Sequence, residues 1–124
     1  MTDFIENATK IIPLTETTFL ILLALLEPRH GYGIMQVAAQ LSGGRVKIGP
    51  GTLYGALNVL VKQGLIERRG EMESEGERRK IYGLTALGDA VVRIESERLA
   101  SLAEAARKAL AGTANVNKED QDVR

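Results

Sequence analysis

The apolar positions of this chain recur at helical spacing, and they predict three short helices ahead of a region that favours β-strands. The first helix spans about residues 15–27, where Thr15 suits the N-cap and Pro28 follows the end. The second helix follows Gly31 and continues to about residue 41. Its predicted buried residues are Ile34, Val37, Ala38 and Leu41.

The third helix begins at Pro50 and ends at Gly64, and its residues divide between two faces. The apolar face, which we expect to be buried, comprises Leu53, Leu57, Leu60 and Val61. The other face carries small and hydrogen-bonding residues, namely Thr52, Tyr54, Gly55, Asn58 and Lys62. Such a face suits a DNA major groove, because bulky side chains would hold the backbone away from the bases. An ordinary amphipathic helix with a solvated outer face has the same pattern, so the helix alone does not decide between the two.

The residues that flank this helix favour a winged helix. Two β-favouring runs, residues 66–69 and 81–84, follow it, and the polar loop between them carries alternating glutamates before the basic segment 78–80. Residues 46–48 are predicted to add a brief extended stretch to the same sheet. At the N-terminus, residues 1–13 are compatible with a short helix whose inward residues are Phe4, Ile5, Ile11 and Ile12.

A long helix is predicted from residue 85 to about residue 111, roughly 40 Å at 1.5 Å per residue. Its apolar and alanine positions follow three- and four-residue spacing, interrupted by one slip, and this spacing indicates helix pairing. We assign to dimerisation Leu87, Val91, Ile94, Leu99, Leu102, Ala106 and Ala109. The alternative is a helix folded back on its own domain. Residues 112–124 are predicted to be a polar, disordered tail.

Four strings of residues carry a family resemblance. They are LLEPRHGYGI at 25–34, GTLYGAL at 51–57, KQGLI at 62–66, and RRKIYGLT at 78–85 with Gly88. In this order and spacing they resemble the PadR-like family of transcriptional regulators, over about residues 20–88. One departure is Gly33, which stands where many members carry an acidic residue.

Together, the pattern and the resemblance predict a mainly α-helical fold with a small β-wing, a winged helix-turn-helix plus a long C-terminal dimerisation helix. The expected divisions are a DNA-binding domain at 1–84 with an N-terminal helical extension, a dimerisation helix at 85–111 and the tail. Whether the N-terminal segment joins the dimer interface stays open. The expected function is that of a homodimeric transcriptional regulator, most simply a repressor, that binds double-stranded DNA at an inverted-repeat operator.

The DNA contacts are assigned to three groups of residues. Thr52, Tyr54 and Asn58, with Gly51 beside them, are the candidates for base-edge contacts in the major groove. The DNA backbone is assigned to Tyr32, Lys47 and Lys62. The wing residues Arg78, Arg79 and Lys80 are expected along or in the adjacent minor groove. Tyr82 is expected to pack in the core with only its hydroxyl at the surface.

The formal net charge of zero argues against nucleic acid until its distribution is considered. Residues 29–69 contain six basic residues and one acidic residue, a local excess of +5. Because attraction to phosphate acts over about a Debye length, a local basic patch can bind DNA on a neutral protein.

Composition gives little support to an enzyme. The chain has no cysteine and one histidine, His30, in a turn where a local hydrogen bond or a phosphate contact fits better than general base catalysis. Gly49-Pro50-Gly51 lacks the G-x-G-x-x-G pattern and the βαβ context of a phosphate loop. We therefore expect no catalytic residues, no metal and no cofactor.

The expected partners are DNA and a second copy of the chain. The longest apolar run, residues 19–26, is far shorter than the roughly 20 residues that cross a bilayer, and no export signal is evident at the N-terminus. We therefore expect a cytoplasmic protein without a membrane partner. Some PadR-like proteins hold aromatic ligands with tryptophans at the dimer interface. This chain has no tryptophan, so a small-molecule effector stays unidentified. The rival hypothesis is a winged-helix module that binds protein through the same surface.

Overall fold

A computed structural model of the chain describes residues 2–116, which fold as five α-helices and a three-stranded sheet. In chain order the elements are α1 (Thr2–Ile11), α2 (Glu16–Ala24), β1 (Arg29–His30), α3 (Gly31–Leu41), α4 (Pro50–Lys62), β2 (Ile66–Ser74), β3 (Glu77–Leu84) and α5 (Ala86–Val116). The strands are antiparallel, in the spatial order β1-β3-β2. The predicted winged helix-turn-helix with a long C-terminal helix is confirmed.

The ends of the short helices follow local chemistry that the sequence displays. At the start of α2 the Thr15 hydroxyl oxygen accepts the Thr18 N–H at 3.2 Å, which confirms the predicted N-cap. At the end of α4, Gly64 has a φ of 76°. Its N–H donates to the Val61 carbonyl at 3.0 Å, and the Leu65 N–H donates to the Leu60 carbonyl at 3.0 Å. These two bonds form a Schellman motif, so the predicted end at Gly64 is confirmed.

The core lies between α2, α3, α4, the sheet and the first part of α5. Its fully buried large side chains include Ile21, Leu22, Leu25, Ile34, Leu53, Leu57, Leu65, Ile66 and Val91. Two predicted core residues are wrong, since Leu41 is 53% exposed and Val61 is 43% exposed. Val61 follows the buried Leu60, and one residue turns a helix by about 100°, so the two side chains leave on different faces.

Helix α1 packs against α5, and only part of the predicted inward face is covered. Ala8 is fully buried, and Ile11 and Ile12 pack against the core. Phe4 and Ile5, which were expected to face inward, are 36% and 53% exposed. The first turn of α1 therefore extends beyond the surface that buries Ala8.

The third strand of the sheet is not the one predicted. Residues 46–48 stay outside the sheet, because the Val46 N–H donates to the Ser42 hydroxyl oxygen at 2.9 Å, within the same turn. The strand position is taken by Arg29 and His30, which pair with Tyr82 and Ile81. Two residues are too few to show a strand periodicity.

The wing is a longer hairpin than predicted. Strand pairing continues to Ser74 and Glu77, so the reversal needs only Glu75 and Gly76, whose φ values of 54° and 80° suit a type I′ turn. The predicted polar loop is therefore mostly strand. Opposite charges face each other across it, Glu71 against Lys80 and Glu73 against Arg78. Such pairs stabilise a hairpin that has no apolar alternation.

Helix α5 is about 46 Å long and continues to Val116, past the predicted end at residue 111. The prediction of a disordered tail is thus wrong for residues 112–116, and residues 117–124 lie outside the described part of the chain. Val91 is fully buried in the core, against which Leu87 and Ile94 also pack. The assignment of Val91 to dimerisation is wrong, because its side chain is fully used by the protomer's own core, whereas the assignment of the partly buried Leu87 and Ile94 stays a prediction.

A hydrogen-bonded joint connects the start of α5 to the turn that ends α4. The Thr85 N–H donates to the Leu65 carbonyl at 3.0 Å, and the Thr85 hydroxyl donates to the Gly64 carbonyl at 2.5 Å. The Thr85 hydroxyl oxygen also accepts the Gly88 N–H at 3.0 Å and so caps the helix. A Cβ added to Gly88 would overlap the Leu65 carbonyl oxygen. Only glycine therefore permits this approach.

Glu95 is a buried carboxylate farther along α5, with only 1% of its surface exposed. It accepts the Leu14 N–H at 2.8 Å and two guanidinium N–H groups of Arg98 at 2.6 and 3.0 Å. The Arg98 hydrogen bonds hold the pKa of Glu95 below its usual value, although burial acts to raise it.

The Gly88 contact predicts that Gly88→Ala destabilises the fold. We expect its free energy of unfolding to fall by about 1–3 kcal/mol, because backbone must move to admit the methyl group. Urea unfolding followed by circular dichroism at fixed protein concentration measures this. Gly112→Ala is the matched control, since a Cβ there meets nothing within 4 Å. The control should gain up to about 1 kcal/mol from helix propensity. Equal effects of the two substitutions would contradict the contact.

Candidate nucleic-acid interface

Helix α4 and strand β3 face each other across an open cleft of about 470 Å³. The helix contributes Tyr54 and Asn58, and the strand contributes residues 77–80 and Tyr82. His30 and Gly31 complete the lining. Five of the ten predicted DNA-contact residues thus line one cleft, namely Tyr54, Asn58, Arg78, Arg79 and Lys80. The cleft combines hydrogen-bonding groups with cations, which is the chemistry that a nucleic acid requires.

The other five predicted residues lie around this cleft. Tyr32, 54% exposed, lines a neighbouring cleft of about 390 Å³ together with His30, Gln36, Glu75 and Arg79. Gly51 and Thr52 are exposed in the first turn of α4, and Lys62 is exposed at its end. Lys47 is exposed in the connection between α3 and α4. Tyr82 is 8% exposed, in agreement with the expected core packing.

A close approach of α3 to α4 positions Tyr54. A Cβ on Gly31 would lie 2.5 Å from the Tyr54 hydroxyl oxygen and 2.9 Å from Cζ of the ring. The absence of a side chain at Gly31 therefore lets the Tyr54 ring lie against the start of α3. Sequence analysis did not assign Gly31 to the site, although the motif His30-Gly31-Tyr32 was the available signal.

His30 caps α3 at the edge of both clefts. Its Nδ1 accepts the Gly33 N–H at 3.3 Å. This is the local hydrogen bond expected at this position. Within residues 2–116 no group of three or more histidine, cysteine or acidic side chains is arranged to hold a metal ion. None of the helices described combines the length and the hydropathy needed to cross a membrane.

The basic excess counted along residues 29–69 overstates the exposed positive charge. Four of its six basic residues are ion-paired, and three of their carboxylate partners lie outside the counted range. The pairs are Arg29 with Glu27, Arg45 with Glu16, Arg68 with Glu71 and Arg69 with Glu67. Lys47 and Lys62 form no ion pair with any residue from 2 to 116. A linear count misses partners that folding brings together.

The wing cations are also partly neutralised. Arg78 Nε lies 3.8 Å from a Glu71 carboxylate oxygen, and Arg79 Nη2 lies 3.6 Å from Glu77. The Nε of Arg79 is buried without a hydrogen-bond partner among the described residues. Both arginines are thus positioned by acidic neighbours at the mouth of the cleft.

Comparison with known proteins places the fold in a family. Residues 20–94 match the model of the transcriptional regulator PadR-like family. The chain belongs to this family. Membership confirms the interpretation as a transcriptional regulator and not an enzyme. No curated protein matches the chain.

Several solved PadR-like structures are similar to the chain. A PadR-like transcription factor from Bacteroides fragilis is 29% identical, with a TM-score of 0.61, over 74% of this chain and 87% of that one. A PadR family regulator from Eggerthella lenta is 26% identical, with a TM-score of 0.62, over 85% of this chain and 86% of that one. Bacillus subtilis PadR in complex with operator DNA is 23% identical, with a TM-score of 0.56, over 70% of this chain and 48% of that one. This last likeness is one of fold.

The contact between Gly31 and Tyr54 can be tested by a double-mutant cycle. Gly31→Ala should lower the free energy of unfolding by about 1 kcal/mol, because the added methyl group displaces the Tyr54 ring. In a Tyr54→Ala background the same change should cost less than half as much, since the ring is no longer there to be displaced. Chemical denaturation of the four proteins gives the coupling. Additive costs would show that the two residues do not interact.

Proposed function

We propose that this PadR-family regulator is a homodimeric repressor that binds an inverted-repeat operator, with one α4 helix in each of two major-groove segments. The cleft that joins Tyr54 and Asn58 to the wing cations carries this proposal, because it places base-reading and phosphate-binding groups side by side. The operator complex of Bacillus subtilis PadR, which has a similar fold, supports it.

The exposed face of α4 is suited to base contacts. A Cβ on Gly51 or Gly55 would meet nothing within 4 Å, so the helix presents an open surface there. A DNA backbone or base edge can therefore approach α4 closely between the side chains of Thr52, Tyr54 and Asn58.

Phosphate contacts are assigned to Tyr32, Lys47 and Lys62, and to the wing. The two lysines have no carboxylate to release among the described residues, whereas Arg78 and Arg79 must exchange Glu71 and Glu77 for phosphates. The lysines should therefore contribute most to sequence-independent affinity.

Dimerisation is assigned to the part of α5 beyond the core. Leu99, Leu102 and Leu110 are 36%, 58% and 69% exposed, and Ala106 and Ala109 are exposed beside them. A single helix cannot cover these apolar side chains, but a second copy of the chain can. In this proposal residues 1–84 form the DNA-binding domain with α1 as its extension, and the exposed half of α5 joins the subunits.

The rival proposal, a module that binds protein through the same surface, is distinguished by gel mobility with random duplex DNA over a salt series. DNA binding that weakens steeply with salt supports the repressor proposal, and absence of DNA binding supports the rival. A small-molecule effector is compatible with the proposed function but has no assigned site.

The proposed roles of Asn58 and Lys62 predict different losses of binding free energy on operator DNA and on random DNA. Asn58→Ala should cost about 1–3 kcal/mol of binding free energy on the operator and little on random DNA, because it removes base contacts. Lys62→Ala should weaken binding to both DNAs similarly. It should also reduce the slope of the logarithm of the binding constant against the logarithm of salt concentration by about one, which corresponds to one phosphate contact. Fluorescence anisotropy with both duplexes at several salt concentrations measures these losses. If Asn58→Ala weakened both DNAs equally, Asn58 would be a backbone contact.

The proposed dimer predicts that Leu102→Glu separates the subunits and abolishes operator binding, because it buries a charge in an apolar seam. The winged domain should stay folded, since Leu102 is 58% exposed in the protomer. Analytical ultracentrifugation and circular dichroism test both points. Ala111→Glu, nine residues and therefore about two and a half turns beyond Leu102, lies at an exposed position on the opposite side of α5; it is the control and should remain dimeric. A Leu102→Glu protein that is still dimeric at micromolar concentration would refute the assignment.

A further inference from the structure

Helix α5 leaves the protomer's core at Glu95. Val91, Val92 and Glu95 are the last buried residues of the helix, and residues 99–113 are all exposed. Glu95 is also the only buried charged side chain among residues 2–116. The charge therefore lies where the helix changes from a core element to a projecting one.

Glu95 connects α5 to the α1–α2 connection at this point. One oxygen, Oε2, accepts the N–H of Leu14, which lies 81 residues earlier, in the connection between α1 and α2. Both oxygens accept N–H groups of Arg98, one turn farther along α5. Because α1 packs against α5, the Leu14 bond fixes the α1–α5 pair to the start of α2. Hydrogen bonds are directional, so they fix an orientation as well as a distance.

The Glu95–Arg98 ion pair itself adds little to stability, because the Arg98 side chain is 36% exposed and water screens the attraction. Apolar packing alone, however, permits small rotations between helices that directed hydrogen bonds oppose. The geometry is therefore better explained by positioning than by stability.

We propose that Glu95 is a positioning residue that fixes the direction of the projecting half of α5. In the proposed dimer it would thereby set the separation of the two α4 helices, which are the recognition helices of the proposed DNA complex. The inference rests on the proposed homodimer and adds a determinant of operator spacing. It assigns no DNA contact to Glu95.

The length of α5 makes a small rotation important. From Glu95 to Val116 the helix extends about 32 Å, so a rotation of about 10° at Glu95 moves its far end by about 5 Å. One helical turn of DNA contains about 10–10.5 base pairs and spans about 34–36 Å, so one base pair adds about 3.4 Å along the axis and turns the helix by about 35°. A displacement of this size, if transmitted to the partner subunit, exceeds the rise of one base pair.

Glu95→Gln tests the proposal, because glutamine keeps an acceptor for Leu14 but loses the charge that holds Arg98. The chain has no cysteine, so Val61→Cys, at an exposed position of α4, carries one spin label per subunit. Pulsed electron paramagnetic resonance then reports the distance between the recognition helices. A second assay measures affinity for operators, selected from a random library, whose half-sites are moved apart or together by one and two base pairs.

We expect Glu95→Gln to remain dimeric with a broader distribution of distances. Its preference for the optimal spacing over spacings changed by one base pair should fall by about threefold or more. Loss of stability alone would not change this ratio among folded dimers. Glu104→Gln is the matched control, since Glu104 also pairs with an arginine three residues later, Arg107 at 3.4 Å, but at an exposed position. It should keep the wild-type distances and preference.

The outcomes separate this inference from the proposed function. A folded Glu95→Gln dimer with unchanged distances and spacing preference would overturn the role of Glu95 alone. A wild-type protein that is monomeric or binds no operator would overturn both. If Glu95→Gln does not fold, Arg98→Lys provides the same test, because it removes the paired guanidinium bonds and leaves the Leu14 bond in place. Wild-type behaviour of Arg98→Lys would then refute the proposal.

Discussion

The contact between the first turn of α5 and the carbonyl of Leu65 is the constraint on which the rest of the structure depends. At this point the end of α4, the start of β2, the end of β3 and the start of α5 meet, because Thr85 hydrogen-bonds to Gly64 and Leu65 while Gly88 approaches the same backbone. Helix α4, the wing and helix α5 are therefore joined through one small set of backbone atoms. A shift there would move all three relative to one another.

The candidate interface shows how a protein without net charge can present a surface for DNA. Folding pairs most of the arginines with carboxylates, so long-range attraction to phosphate is modest and exposed lysines supply most of it. In the proposed complex, phosphates would compete with Glu71 and Glu77 for Arg78 and Arg79. Such competition would lower affinity for every sequence alike, so the proposed base contacts from α4 would account for a larger share of the difference between operator and random DNA.

The sequence alone was enough to predict the helices, the wing and the family. It did not predict features that depend on contacts between residues far apart in the chain. Thr15 and Gly64 could be predicted because caps and turns depend on a few adjacent residues. The strand formed by Arg29 and His30 could not, since two residues carry no periodicity and pair with a strand about fifty residues away. The ion pair between Arg45 and Glu16 could not be predicted for the same reason, so the count of basic residues overestimated the exposed positive charge of the interface. Of the site, the exposed face of α4 was predictable from helical spacing, whereas the role of Gly31 depends on the distance between two helices.

The division of α5 between two tasks is partly visible in its sequence once the structure is known. The apolar stripe slips between Ile94 and Leu99, and Glu95, which interrupts it, is the last residue that the protomer buries. The three- and four-residue spacing is the same before and after the slip, so only the phase of the stripe changes. Up to Ile94 the stripe packs on the protomer's core, and from Leu99 onward it is exposed in the protomer. The change of phase therefore coincides with the point at which α5 leaves the core, and the apolar residues after it are those for which a second copy of the chain is the proposed packing partner.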